Sequence, residues 1–273
     1  MLTYDDDLAR FEAYGTEALP AAVSEGFVEH DGARLWHAVV GEGPAVVLLH
    51  GGLGHSGNWS HQIHSLVSEP YRIVMIDTRG HGRSTRDSRP FSYEVMASDV
   101  LAVMNHLGIE KAAIVGWSDG ACTGLVLAAQ APARVSGVLF FGCNMHPAGA
   151  KPFEPSPVIG RCFDRHRHDY QVLSPTPGEF DALVESLGRM QRTQPNYSAD
   201  DLARIGVPVT VVHAEHDEFI HLEHAHYLAR TLPRAQFILL PEVSHFAPLQ
   251  RPDRFSAVVR TFLENLADPP WRA

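Results

Sequence analysis

Cysteine is scarce in this 273-residue chain: Cys122, Cys143 and Cys162 are an odd number at wide spacings. They neither frame a disulfide network nor supply the paired spacing of a zinc site, and a reducing compartment suits them best. Positive charge is short as well, with 22 Lys and Arg against 32 Asp and Glu and a formal net charge of −10. No Lys/Arg block interrupts that balance, so the electrostatic footprint of a nucleic-acid or anionic-membrane binder is missing. No apolar run reaches membrane-spanning length, and the first residues, with Asp5, Asp6 and Asp7 soon after Met1, lack the positive flank and apolar stretch of a secretory leader. The expectation is a cytoplasmic protein with a small-molecule substrate and no nucleic-acid or membrane partner, its oligomeric state left open.

What is present is enough for a full core. Hydrophobic residues make up 45% of the chain, and a chain of this length buries roughly three quarters of its unfolded surface, which excludes intrinsic disorder. Two polar segments, Gly26–His30 and Arg34–Val40, flank the turn signal Asp31-Gly32 and read as an antiparallel hairpin. Six short apolar runs follow: Ala45–His50, Tyr71–Asp77, Ala112–Trp117, Val135–Phe141, Val207–His213 and Gln236–Leu240. Nearly continuous Val, Ile and Leu is the pattern of strands buried on both faces, so these predict a parallel sheet core.

Helical spacing lies between the runs, in Val95, Met96, Val100, Val103, Met104 and Leu107, and again in Leu125, Val126 and Ala129. Such crossovers put helices on both faces of a sheet. The interval 143–205 breaks the alternation, with seven prolines and no convincing strand. It reads as an inserted helical cap, in which Phe180, Leu183, Val184 and Leu187 trace one helix face and Ile159, Cys162, Phe163, His166 and Tyr170 another. The organisation expected is a core of residues 1–142 and 206–273 with residues 143–205 as the cap.

The strongest chemical signal is Gly116-Trp117-Ser118-Asp119-Gly120, where a buried strand ends and a small-residue helix, Ala121 to Ala129, begins. A serine on so sharp a turn is pushed clear of the sheet, and small neighbours are required because the backbone doubles back on itself. Taken alone the motif also fits a serine capping a helix. Two further parts follow in order: Asp217 just past Val207–His213, and His245 after Gln236–Leu240. A serine hydroxyl needs a base to become a nucleophile, an imidazole can serve near neutrality, and a carboxylate must hold that imidazole in the right tautomer. His245 is the candidate base and Asp217 the candidate acid, with Glu215 and Glu218 as rivals of the same chemistry. Leu48-Leu49-His50-Gly51-Gly52-Leu53-Gly54 supplies the fourth part. The amide of Gly52 or Leu53, together with that of Asp119, could bind a developing oxyanion. A phosphate-binding loop is excluded there, since neither Gly-x-Gly-x-x-Gly nor a Walker lysine is present.

With these parts in this order the chain resembles the α/β-hydrolase superfamily from about Gly26 to Leu266. The motifs that carry the likeness are His50-Gly51-Gly52, Asp77-Thr78-Arg79-Gly80-His81-Gly82-Arg83-Ser84, Gly116-Trp117-Ser118-Asp119-Gly120, the Asp217 segment and Ser244-His245-Phe246. The resemblance implies an α/β-hydrolase fold, a mostly parallel eight-stranded sheet flanked by helices with an inserted helical cap. It also implies a cofactor-free Ser-His-Asp hydrolase with the acid at Asp217. Dehalogenase and epoxide hydrolase relatives carry an aspartate nucleophile, against Ser118, and many haloperoxidase and C–C hydrolase relatives have methionine where Asp119 stands. Gly-Trp-Ser-Asp-Gly is most similar to the biphenyl-hydrolase-like, valacyclovirase-type branch, in which the acid after the serine holds the substrate's ammonium group; here that is Asp119. The expected activity is cleavage of a small carboxylic ester, amino-acid esters among them. A lactone, amide or C–C hydrolase on the same triad, and a small-molecule receptor of this fold, are its rivals.

Several residues read more simply. The stretch from His213 to His226 is dense in potential ligands, yet its spacing matches no zinc motif, so no metal is expected. Trp36, Trp59 and Trp117 read as packing residues, and Cys122 as a small buried thiol. Phe163, His166, Tyr170 and Met190 are candidate pocket liners under the cap, and the tail with Pro269, Pro270 and Trp271 reads as disordered.

Overall fold

A computed structural model describes residues 6–267; the tail reading on Pro269 to Trp271 lies outside them. Eight strands form one sheet: β1 (Ser24–His30), β2 (Ala33–Val40), β3 (Ala45–Leu49), β4 (Arg72–Ile76), β5 (Ala112–Trp117), β6 (Val135–Phe141), β7 (Val209–His216) and β8 (Ala235–Ser244). Their order is β1-β2-β4-β3-β5-β6-β7-β8. β2 runs antiparallel to both of its neighbours and every other pairing is parallel, so this is the α/β-hydrolase architecture.

The helices are α1 (Asp6–Tyr14), α2 (Ser60–Leu66), α3 (Tyr93–His106), α4 (Asp119–Gln130), α5 (Pro157–Leu173), α6 (Phe180–Gln191), α7 (Ala199–Ala203), α8 (Leu222–Thr231), α9 (Ala247–Gln250) and α10 (Pro252–Ala267). Alternate residues of each central strand serve opposite cores, as the pleat requires. Val47, Leu49 and Ile114 pack with Val100, Met104 and Leu125 of α3 and α4 on one face. Val46, Leu48 and Val115 pack with Ile63, Phe255 and Val259 of α2 and α10 on the other. Local signals start and stop the helices. In α3 the Ser92 hydroxyl accepts from the Val95 amide, Glu94 sits in the first turn, and Gly108 follows the last turn at φ +65°. Among the described residues no helix is long and apolar enough to cross a membrane.

Two readings need correction. Strand β8 is not buried on both faces: it is the sheet's last strand, and Leu239 is 41% exposed. It also runs on to Ser244, and β7 to His216, so Asp217 and His245 follow their strands directly. Helix α1 has no counterpart in the sequence reading, yet it buries Leu8 and Phe11 in the second core and packs on α5. Between β6 and β7 the chain makes a long excursion carrying α5, α6 and α7. Phe180, Leu183 and Leu187 of α6 and Ile159, Cys162, His166 and Tyr170 of α5 are buried, with Val184 and Phe163 partly so.

The sheet order reverses about β3: β4 lies on one side of it and β5 on the other. Loops leaving the carboxyl ends of two such strands diverge and leave a crevice, which is where open α/β sheets bind ligands. The Gly51–Gly54 loop and the Ser118 turn are the two walls of that crevice.

Candidate active site

Strand β5 hands over to α4 in a single residue. Ser118 has φ 54° and ψ −125°, a left-handed conformation that costs a non-glycine residue about 1–3 kcal/mol. Its amide donates to Phe141 O at 2.8 Å, which fixes the turn against the end of β6. Gly116 and Gly120 are required by close approach. A Cβ on the first would lie 2.5 Å from Ala121 Cα, and on the second 2.1 Å from Leu49 O. Ala121 fits fully buried beneath the turn.

The loop after β3 faces this serine. A Cβ on Gly51 would stand 3.2 Å from Ser118 Cβ, and Leu53 takes φ +66°. The Gly54 amide donates to Gly51 O at 3.1 Å, closing the loop on itself. The amides of Gly52 and Leu53, and that of Asp119 at the start of α4, donate to no other described residue. A helix N-terminus adds its own positive end to such a cluster of N–H groups.

On the other flank, His245 follows β8 and Asp217 follows β7. His245 Nδ1–H donates to Asp217 Oδ2 at 3.0 Å, with the pair buried at 4% and 1% exposure. Asp217 Oδ1 accepts from the amides of Phe219 and Ile220, each at 2.9 Å, so the carboxylate is fixed at both oxygens. The acidic rivals are assigned elsewhere: Glu218 Oε2 accepts from the His245 amide and Glu215 Oε2 from the Glu242 amide. The imidazole is wedged between Phe219, at 4.7 Å between ring centroids, and Phe141, at 6.2 Å. Gly142, the residue after β6, has φ +63° and touches this pair: a Cβ there would lie 3.1 Å from the imidazole and 3.2 Å from Asp217 Oδ2. The ends of β5, β6, β7 and β8 thus bring Ser118, His245 and Asp217 to one rim. Ser118 Oγ makes no hydrogen bond to a described residue, and such contacts often tighten only around a substrate.

Electrostatics sharpen the arrangement. Burial alone would push Asp217 up, but the His245 charge and hydrogen bond, His213 and the Phe219 amide hold it below the usual carboxylate range. For His245 burial acts downward, and Asp217, then Glu218 and Asp119, outweigh it and raise the pKa. Burial raises Asp119 despite its hydrogen bonds from Tyr93 and Gln191 and the charge of His245.

Around the rim the sequence signals have structural counterparts. Asp77 Oδ1 accepts from the Ser56 amide, and Oδ2 from the Arg83 amide and guanidinium. Ser84 Oγ donates to Asp77 O and accepts from the Trp36 amide. This stretch therefore braces the loop after β4. Trp59 and Trp117 are buried edge to face, and Cys122 and Cys143 are free thiols buried under the Ser118 turn. Among the described residues no three His, Cys, Asp or Glu side chains gather as metal ligands. His221 is the residue before α8 begins, and His224 Nε2 accepts from the Met145 amide. Of the suggested liners, His166 faces Phe11 of α1, Phe163 and Tyr170 pack on Phe180, and Met190 joins the first core.

Comparison with known proteins gives a consistent picture. The α/β-hydrolase fold family matches residues 44–171. The serine hydrolase BPHL of Homo sapiens is 26% identical over 266 residues, 92% of this chain and 89% of its own. The putative carbamate hydrolase RutD of Caulobacter sp. (strain K31) is 30% identical over 270 residues, 85% of this chain and 97% of its own. A solved structure, the meta-cleavage product hydrolase CumD of Pseudomonas fluorescens IP01, aligns with a TM-score of 0.76 at 22% identity, covering 88% of this chain and 97% of its own.

Proposed function

The chain belongs to the α/β-hydrolase family, and from that premise we propose that it is a serine hydrolase of small carboxylic esters, with Ser118 as nucleophile, His245 as base and Asp217 as the acid that orients it. The observation that carries this reading is the buried hydrogen bond from His245 Nδ1 to Asp217 Oδ2 at 3.0 Å, at the same rim as a serine in a strained left-handed turn.

The chemistry follows from the groups present. Ser118 Oγ bonds to the ester carbonyl carbon while its proton passes to the His245 nitrogen that Asp217 does not hold. The amides of Gly52 or Leu53 and of Asp119 bind the oxyanion. Collapse of the tetrahedral adduct breaks the ester C–O bond, and the alcohol leaves with the proton from His245. Water then attacks the acyl-serine, gives its proton to His245, and the acid departs as Ser118 regains the proton. No cofactor enters these steps. Residues 143–205 act as the cap that covers the crevice, and Asp119, by its carboxylate, receives the ammonium of an aminoacyl group.

The test is steady hydrolysis of benzyl propanoate and benzyl alaninate by the purified protein. Multiple turnovers are expected, with Ser118→Ala slower by about 10⁴-fold or more. Normal turnover by Ser118→Ala overturns the proposal, and binding of these esters without turnover favours a receptor.

A further inference from the structure

The carboxylate of Asp119 is occupied in an unusual way. Tyr93 Oη donates to Oδ1 at 2.7 Å, and Gln191 Nε2 sits in the fork of the carboxylate, 3.1 Å from Oδ1 and 3.0 Å from Oδ2. One nitrogen equidistant from both oxygens is the position in which a carboxylate receives an ammonium group. The two partners differ in their freedom to leave. Tyr93 is 2% exposed and packed in the core, whereas Gln191 is exposed, the last residue of α6, and can turn its carboxamide into water without opening a cavity.

The fork also lies where an acyl group would need it. A Cβ on Gly52 would stand 2.6 Å from Asp119 Oδ2 and 3.3 Å from Gln191 Nε2, so the amide and carboxylate rest on the loop that faces Ser118. The nitrogen of an α-aminoacyl group is two bonds from the carbonyl carbon, and its acceptor has to adjoin the oxyanion amides.

We propose that Gln191 is a specificity gate: its carboxamide fills the ammonium position on Asp119, and an aminoacyl substrate enters by exchanging its ammonium for that amide. This rests on the reading of Asp119 as the ammonium acceptor. A charged donor to a carboxylate outcompetes a neutral one, because charge-assisted hydrogen bonds are roughly twice as strong. Acyl groups without an amine have nothing to exchange, leave Gln191 in place and meet a carboxylate whose oxygens are already hydrogen-bonded. The gate lowers apparent affinity for the amine by the fraction of time it is open, as any closed pre-equilibrium does.

Gln191→Ala, Asp119→Asn and the unaltered protein, each compared on benzyl alaninate and benzyl propanoate, provide the test. A net hydrogen bond of ordinary strength predicts that Gln191→Ala raises kcat/KM for the alaninate about two- to tenfold, while the propanoate, which loses the covered wall, gains nothing. Binding gives a readout free of turnover. In a Ser118→Ala background, calorimetry should show the Kd of L-alaninamide falling by a similar factor when Gln191→Ala is added. Equal changes on both esters, or an unchanged or weaker Kd for L-alaninamide, overturn the gate and leave Gln191 a brace of the loop. Asp119→Asn separates the two readings. If it abolishes the preference between the esters while Gln191→Ala fails as described, the gate alone falls; if it leaves the preference intact, the ammonium reading falls and the gate with it.

Discussion

His245 stands between opposed influences, and their balance sets a measurable pH dependence. Burial favours the neutral ring; the Asp217 carboxylate at 3.0 Å, with Glu218 and Asp119 behind it, favours the cation and prevails. In the proposed mechanism the neutral ring is the form that accepts the serine proton. Activity is therefore lost as pH falls through the raised pKa and gained as pH rises through it, with a midpoint above the ordinary histidine value of about 6.5. The kcat/KM profile on benzyl propanoate should show that rise. Asp217→Asn should move the midpoint down and cut kcat by about 10⁴-fold through loss of the correct tautomer. A flat profile from acid to neutral pH contradicts the assignment. Among the three acids near the end of β7, spacing alone does not choose and only the resemblance points to Asp217; in the structure Glu215 lies within the strand, and Glu218, past its end like Asp217, accepts from the His245 amide instead of the ring. The bond from the His245 amide to Glu218 was equally beyond reach of spacing arguments, since it depends on how two loops meet.

Strand and helix boundaries were readable wherever one local rule dominated. Unbroken apolar runs marked β3, β5 and β6, which lie in the sheet's interior, and the same rule misjudged β8, whose composition resembles theirs but whose open side faces water. Helix α1 escaped because its apolar pair, Leu8 and Phe11, is too brief to set a period and is justified only by α5 and α9. The loop after β4 joins α3 through a buried ion pair in which Arg79 Nε and Nη2 donate to the two oxygens of Asp99, both residues 2% exposed. Asp87 stands 3.9 Å from Arg79, too far to hydrogen-bond in place of Asp99. Asp99→Asn strands a buried guanidinium, and removal of one partner of such a pair costs about 3–5 kcal/mol. Urea unfolding should report that loss with an unchanged slope; a change below about 0.5 kcal/mol would mean the pair is dispensable.

At the scale of the whole molecule, function depends on an order of strands. Reversal about β3 opens the crevice, β5 sets Ser118 at its mouth, and β7 and β8 deliver Asp217 and His245 from the far end of the chain to the same rim. The contact of Gln191 with Asp119 has the same character: the two lie in separate helices, joined only by the fold of the excursion over the sheet. The central claim is that this convergence makes one serine a nucleophile. Treatment with a fluorophosphonate, followed by peptide mass spectrometry, tests it most directly. The account predicts a single adduct on the peptide carrying Ser118, absent in Ser118→Ala and greatly slowed in His245→Ala. A protein left unmodified, or one modified at another residue, would contradict it.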